Sequence, residues 1–212
     1  MLAARLHCAN LRRLAGSKWR ECAMVIASTA YVSEETFRRL SLGDLQGQWE
    51  LHHGHLREKP GMSVEHGNVM GNLVRLLENQ RDRTSYRVRA QHARLRLASD
   101  TYYIPDVAVI PTAIVQALSE HPGALDAYPD ALPLVAEIWS PSTGGYYVSD
   151  KLRDYQRRGD LKIWHVHPYE RTVTAWRRQS DGAYVETTYR DGVVHPASLP
   201  AVAIDLKALF ET

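Results

Sequence analysis

The chain has 212 residues, 44% of them hydrophobic and 24% charged, with 26 Lys and Arg against 24 Asp and Glu, a formal net charge of +2. Those values are ordinary for a folded globular protein. They exclude a wholly disordered chain, a disulfide-stapled miniprotein and a histone-like polycation.

Residues 1–23 carry Arg5, Arg12, Arg13, Lys18 and Arg20 against Glu21 alone. They lack the sustained apolar segment of a secretory signal. They are expected to be a poorly ordered basic arm or to precede a true start at Met24, with residues 24–212 forming one domain. Cys8 and Cys22 are the only cysteines and form no Cys-x-x-Cys, so a reducing, cytoplasmic setting is expected. No apolar run approaches the roughly 20 residues that span a bilayer.

Residues 33–41 predict a short helix capped by Ser33, with Glu34 and Glu35 in its first turn, where the helix dipole favours acids. Residues 48–57 alternate around His53-Gly54 and predict a hairpin. Over residues 64–80, Val69, Leu73, Leu76 and Leu77 recur at helical spacing. Residues 86–97 have a period of two and predict a strand, and 102–110 a second, buried one. Four prolines between 111 and 133 predict a loop or one short helix. Residues 134–139 predict a strand, 146–158 a helix and 161–166 a strand. Residues 172–177 and 183–189 predict a hairpin around Asp181-Gly182. Residues 202–211 predict an edge strand or a short helix. The order is mixed α/β, with helices covering a sheet.

Two acids interrupt apolar strands: Asp106, ahead of Val107-Ala-Val-Ile110, and Glu137, within Leu134-Val-Ala-Glu-Ile-Trp139. A carboxylate there is costly unless it is paired, hydrogen-bonded or bound to metal. Asp106 capping a turn and Glu137 pairing with an arginine are the plain alternatives. Glu50 supplies a third carboxylate. Lys151 shares the inward stripe of its helix with Val148, Leu152 and Tyr155, so its ammonium points either at these acids or out to solvent. Converging carboxylates hold magnesium through oxygen, and an adjacent lysine stabilises charge developing on a phosphate.

These pieces resemble the Uma-type restriction endonuclease family of the wider PD-(D/E)XK nuclease-like superfamily, from about residue 33 to 211. The resemblance is carried by Trp49-Glu50-Leu51, Gly54-His-Leu56, Ser63-Val-Glu-His66, Ile104-Pro-Asp-Val-Ala-Val109, Val135-Ala-Glu-Ile-Trp-Ser-Pro-Ser-Thr143, Asp150-Lys-Leu-Arg-Asp-Tyr155 and Ile163-Trp164. It implies a restriction-endonuclease-like core, a central mixed sheet flanked by helices with accessory β-hairpins. It also implies an endonuclease that cuts DNA with magnesium or manganese. Asp106 and Glu137 would be the metal ligands, Glu50 an auxiliary acid and Lys151 the catalytic lysine. That lysine lies on the helix following Glu137, because Trp139 fills the slot two residues after it.

The stretch 75–96 carries seven Arg against Glu78 and Asp82. Arg87, Arg89, Arg94 and Arg96 are therefore candidate phosphate contacts, with intramolecular ion pairs as the alternative. His66, at a helix start, is a candidate for contacting phosphate. His52, His53, His55 and His66 are either zinc ligands or, for the first three, an exposed hairpin. Ser140 and Ser142 have no evident base partner, which argues against a serine hydrolase. DNA is the expected partner and a homodimer is expected for double-strand cutting. A catalytically silent nucleic-acid-binding or interaction module of the same fold is the competing expectation.

Overall fold

The computed structural model describes residues 31–43, 47–59, 61–141 and 144–211, the side chains of 144–148 excepted. The basic arm 1–23, Val148 as part of the helix stripe and Ser142 lie outside what is described.

Helix α1 (Glu34–Gly43) opens on Ser33, whose hydroxyl accepts the Thr36 amide at 3.3 Å. Strands β1 (Trp49–His52) and β2 (His55–Glu58) pair in the expected hairpin. His53 and Gly54 both have positive φ, 49° and 79°, as a two-residue turn matched to strand twist requires. A Cβ on Gly54 would lie 2.2 Å from the Tyr31 ring. Tyr31 is exposed and can move, so the persistent cost of Gly54→Ala is the left-handed backbone. Chemical denaturation should show a loss of about 1–2 kcal/mol.

Helix α2 (Val64–Gln80) has the expected bounds and buries Val69, Leu73 and Leu77 together with His66. Two expected strands are each broken in two. Residues 86–97 become β3 (Tyr86–Ala90) and β4 (Arg94–Ala98), and residues 102–110 become β5 (Thr101–Tyr103) and β6 (Val107–Pro111). Gln91 takes a left-handed φ of 50° at the first break. Pro105 removes an amide from the ladder at the second. The breaks face each other, with the Gln91 amide donating to Asp106 O at 2.9 Å.

At this seam the chain passes between two sheets. The five-stranded sheet runs β2-β1-β5-β4-β7 and the six-stranded one β11-β10-β9-β8-β6-β3. The intervening elements are α3 (Thr112–Ser119), β7 (Ala127–Tyr128), β8 (Leu134–Ile138), α4 (Gly144–Arg158) and β9 (Lys162–His167). The expected C-terminal hairpin is β10 (Thr172–Arg178) with β11 (Tyr184–Tyr189). Strands β12 (Val193–Val194) and β13 (Ile204–Asp205) pair, and α5 (Leu206–Leu209) follows, so the last segment is both strand and helix.

The larger sheet is mixed. Strands β6 and β8 are antiparallel, while β8 and β9 are parallel and joined through α4. Its faces bury different cores. Val107, Val109, Ala136, Ile138, Trp164 and Val166 pack with α2 and the C-terminal segment. Ala108, Ile110, Val135 and Ile163 pack with Tyr155 of α4 and with Leu95 and Tyr103 of the smaller sheet. Cover on both faces explains why β8 reads as a nearly unbroken apolar run. No helix among the described residues is long and apolar enough to cross a membrane.

Candidate active site

Alternation along β8 puts Glu137 on the face of Val135, where that second core calls for an apolar residue. Strands β6 and β8 pair Val107 with Ala136, so Asp106 lies one step past that pair, opposite Glu137. Lys151, on α4, points inward and is 2% exposed. Its Nζ donates to Glu50 Oε1 at 2.8 Å and to Glu137 Oε1 at 3.1 Å, and stands 5.4 Å from the Tyr103 ring centroid. The Tyr155 hydroxyl, one turn further along α4, donates to Glu137 Oε1 at 2.6 Å. Glu50 reaches across from β1 and accepts the Ile104 amide at 2.7 Å. That bond satisfies a backbone donor at the strand break.

Asp106 is held from four sides. Oδ1 accepts from Lys59 Nζ at 2.7 Å and Gln91 Nε2 at 3.1 Å. Oδ2 accepts the Ile138 amide at 2.7 Å and lies 3.0 Å from His66 Nε2. Burial alone would raise this carboxyl, but Lys59 and His66 outweigh it and hold the group well below the ordinary carboxylate range. Burial works against the Lys151 charge as well. Glu137 and Glu50 overcome it and hold the ammonium above its ordinary value. Glu137 goes the other way: burial raises it, and Lys151 offsets only part of that.

Over residues 34–207 the sequence matches a protein-family model described as "Uma2: Putative restriction endonuclease". The chain belongs to the Uma2 family. The fold is that of a protein from Anabaena variabilis ATCC 29413, described as a "putative nuclease belonging to DUF820". Identity is 18% and the TM-score 0.67, over 84% of this chain and 97% of the other. No curated protein matches the sequence.

In this Uma2 chain, Asp106, Glu137, Lys151 and Glu50 converge, and His66 joins them through Asp106 rather than through the surface. The arginines do not. Arg96 forms a paired contact with Glu34, at 2.9 and 3.2 Å, and Arg89 lies 3.6 Å from Asp126. Arg94 is 8% exposed, and Arg87 reaches back to the carbonyls of Arg83 and Tyr86. Arg89 and Arg96 thus form ion pairs of the kind the alternative expects. His52 and His53 touch ring to ring, His53 and His55 are exposed, and His66 lies apart on Asp106. Lys59, Gln91 and the Ile138 amide are new members of the site. Lys59 follows the hairpin just before Pro60-Gly61, where no periodicity points to it. Tyr155 was already on the stripe with Lys151.

Three carboxylates suit a hard divalent cation in charge and ligand type. Glu50 Oε2 supports the fit directly, being buried and without a hydrogen-bond partner. Asp106, however, spends its acceptor positions on protein donors. Among the described residues no three His, Cys, Asp or Glu side chains are grouped to hold a metal ion. An ion on Asp106 therefore has to displace one of these partners, Lys59, Gln91, His66 or the Ile138 amide.

His165 of β9 stands beside Glu137 in the β8–β9 register. Its Nε2 is buried without a partner, and burial pushes its pKa down to about 4. The unfolded chain takes up this proton near the ordinary value of 6.5 and the folded one does not. Stability is therefore full above pH 6.5 and declines as pH falls toward 4. Denaturation midpoints measured across that window should fall for the wild type and fall less for His165→Phe.

Proposed function

We propose that this chain is a divalent-metal-dependent endonuclease that hydrolyses DNA phosphodiester bonds. The observation that carries the reading is the convergence of Asp106, Glu137, Glu50 and Lys151 at the seam between the two sheets. Magnesium or manganese held by Asp106 and Glu137 would offset phosphate charge and acidify a bound water.

Lys151 supplies a fixed positive charge. Held protonated between Glu50 and Glu137, it serves as a donor to the charge that grows on a phosphate oxygen and not as a base. Tyr155 and Lys151 both bind Glu137 Oε1 and so fix the orientation of that carboxylate. Lys59, His66, Gln91 and the Ile138 amide hold Asp106 ionised. Glu50 sets Lys151 in place while tying down the backbone at Ile104. Most of these groups lie on strands and helices, which suits precise placement.

The test is cleavage of single-stranded, duplex and supercoiled DNA with magnesium, with manganese and with EDTA, wild type beside Asp106→Ala. Metal-dependent cutting lost in the variant is the expected result. Cutting retained at full rate by Asp106→Ala overturns the site.

The saturated environment of Asp106 favours one second reading, a silent DNA-binding module in which Lys59 permanently occupies the place of a metal. That reading expects equal DNA affinity with magnesium and with EDTA, and no cutting of any DNA form.

A further inference from the structure

Beside the carboxylates lies a group of rings that neither hydrophobic core absorbs. Strand β8 runs from Glu137 through Ile138 to Trp139, and the Trp139 amide donates to Val166 O at 2.8 Å. This clamps Trp139 against the end of β9. The Trp139 and His167 rings stack, with centroids 4.6 Å apart and planes at 21°. The Tyr169 ring stands at 88° to that of Trp139, with centroids 5.6 Å apart, and at 72° to that of His167, at 6.3 Å. The Tyr169 hydroxyl donates to Glu65 Oε2 at 3.0 Å, in the first turn of α2. Tyr169 is thus held by its ring neighbours and its hydroxyl, yet is 50% exposed.

Both supports of this group adjoin residues that hold Asp106. Ile138, whose amide binds Asp106, precedes Trp139. His66, 3.0 Å from Asp106, follows Glu65. The strand and the helix that hold Asp106 thus also hold the ring group, whose exposed member is Tyr169. Met62 and Val64, both exposed, lie on either side of Ser63 and extend the apolar surface at the start of α2.

We propose that Trp139, His167 and Tyr169 form a stacking platform for an unpaired nucleobase. The substrate is then single-stranded or locally opened DNA, which rests on the nuclease reading above. Bases in a closed duplex have their faces covered by neighbours, whereas an unpaired base offers a free face. Tyrosine suits the role because its large ring loses little conformational freedom on binding, least of all when already fixed.

The platform can be tested apart from catalysis by measuring binding in EDTA. A short fluorescein-labelled oligothymidine and a duplex of equal length are titrated with protein, reading anisotropy and quenching of tryptophan emission. The single strand is expected to bind more tightly and to quench. Tyr169→Ala should weaken it about 5- to 150-fold, the range for losing one base–aromatic stack. Tyr169→Phe should keep most of the affinity. Tyr169 is half exposed, so its variants are expected to fold even where Trp139→Ala is not. Equal binding of the two probes, or wild-type affinity in Tyr169→Ala, overturns the platform whether or not the protein cuts DNA. Tyr169-dependent binding without cutting under any metal keeps the platform and overturns the nuclease.

Discussion

Lys151→Met is expected to destabilise the protein by about 3–5 kcal/mol, the scale for removing one partner of a buried ion pair. Methionine has nearly the volume of the lysine stem, so a cavity is not the cause. The cause is charge. Glu50 Oε1 and Glu137 Oε1 lie 2.8 and 3.1 Å from Nζ, and without the ammonium two carboxylates share one low-dielectric space. In a domain of this size each kcal/mol moves Tm by roughly 2–4 °C, so calorimetry should show a fall of about 6–20 °C. Adding Glu50→Gln to Lys151→Met should recover part of it, because one of the stranded charges is gone. A Tm within about 2 °C of wild type for Lys151→Met would show that the ammonium is not the keystone of this cluster. Any cutting should be lost in both variants, whatever their stability.

Asp106→Asn is expected to cost a similar amount, again about 3–5 kcal/mol, for the opposite reason. It leaves Lys59 Nζ, 5% exposed at the side chain, facing an amide. The Asn nitrogen must also point at a donor, either toward Lys59 and Gln91 or toward His66 and Ile138. Under the proposed function, DNA cutting should fall at least about 100-fold, the scale of losing one preorganised electrostatic contact. A double-mutant cycle isolates the pair. Asp106→Asn combined with Lys59→Met should be less destabilising than the two single changes summed, with a coupling of roughly 0.5–3 kcal/mol. The pH dependence carries the same signature. The Asp106 carboxyl is depressed in the folded state, so its contribution is present above the unfolded value near 4 and lost as pH falls below it. The Asp106→Asn protein should lack that part of the acid-induced loss.

The residues that carry charge into the core were legible because they break a pattern. An acid in Val135-Ala-Glu-Ile138 or after Ile104-Pro105 stands out against apolar neighbours, and Lys151 falls on a helical stripe. Helix α2 was legible to the residue because its spacing is regular and Ser63 caps it. What the pattern could not show was where a strand changes sheet. Residues 86–97 shift the phase of their alternation at Gln91-His92, from apolar 86, 88 and 90 to apolar 93, 95 and 97, but a period of two read over the whole stretch hides that shift, and Pro105 was the one local hint that 102–110 would not run straight. The ion pairs of the arginines were hidden for a related reason. The acids that pair with two of them are far away in sequence: Arg96 finds Glu34 across 62 positions and Arg89 lies beside Asp126. Lys59 stayed hidden because its role is set by Asp106, 47 positions away, and by nothing around it.

The seam also bears on how the protein comes to be made. The contacts that define the cluster span 101 residues between Glu50 and Lys151, 40 between His66 and Asp106, and 14 at their shortest, between Glu137 and Lys151. Such distant pairings form late, after loop-closure entropy has been met by most of the chain. A ribosome-bound chain that has not yet exposed α4 has both sheet halves of the seam but no lysine to join their acids. Competence therefore waits for α4, the element that brings Lys151. In refolding experiments, ion pairing at the site should lag behind the return of helical circular dichroism.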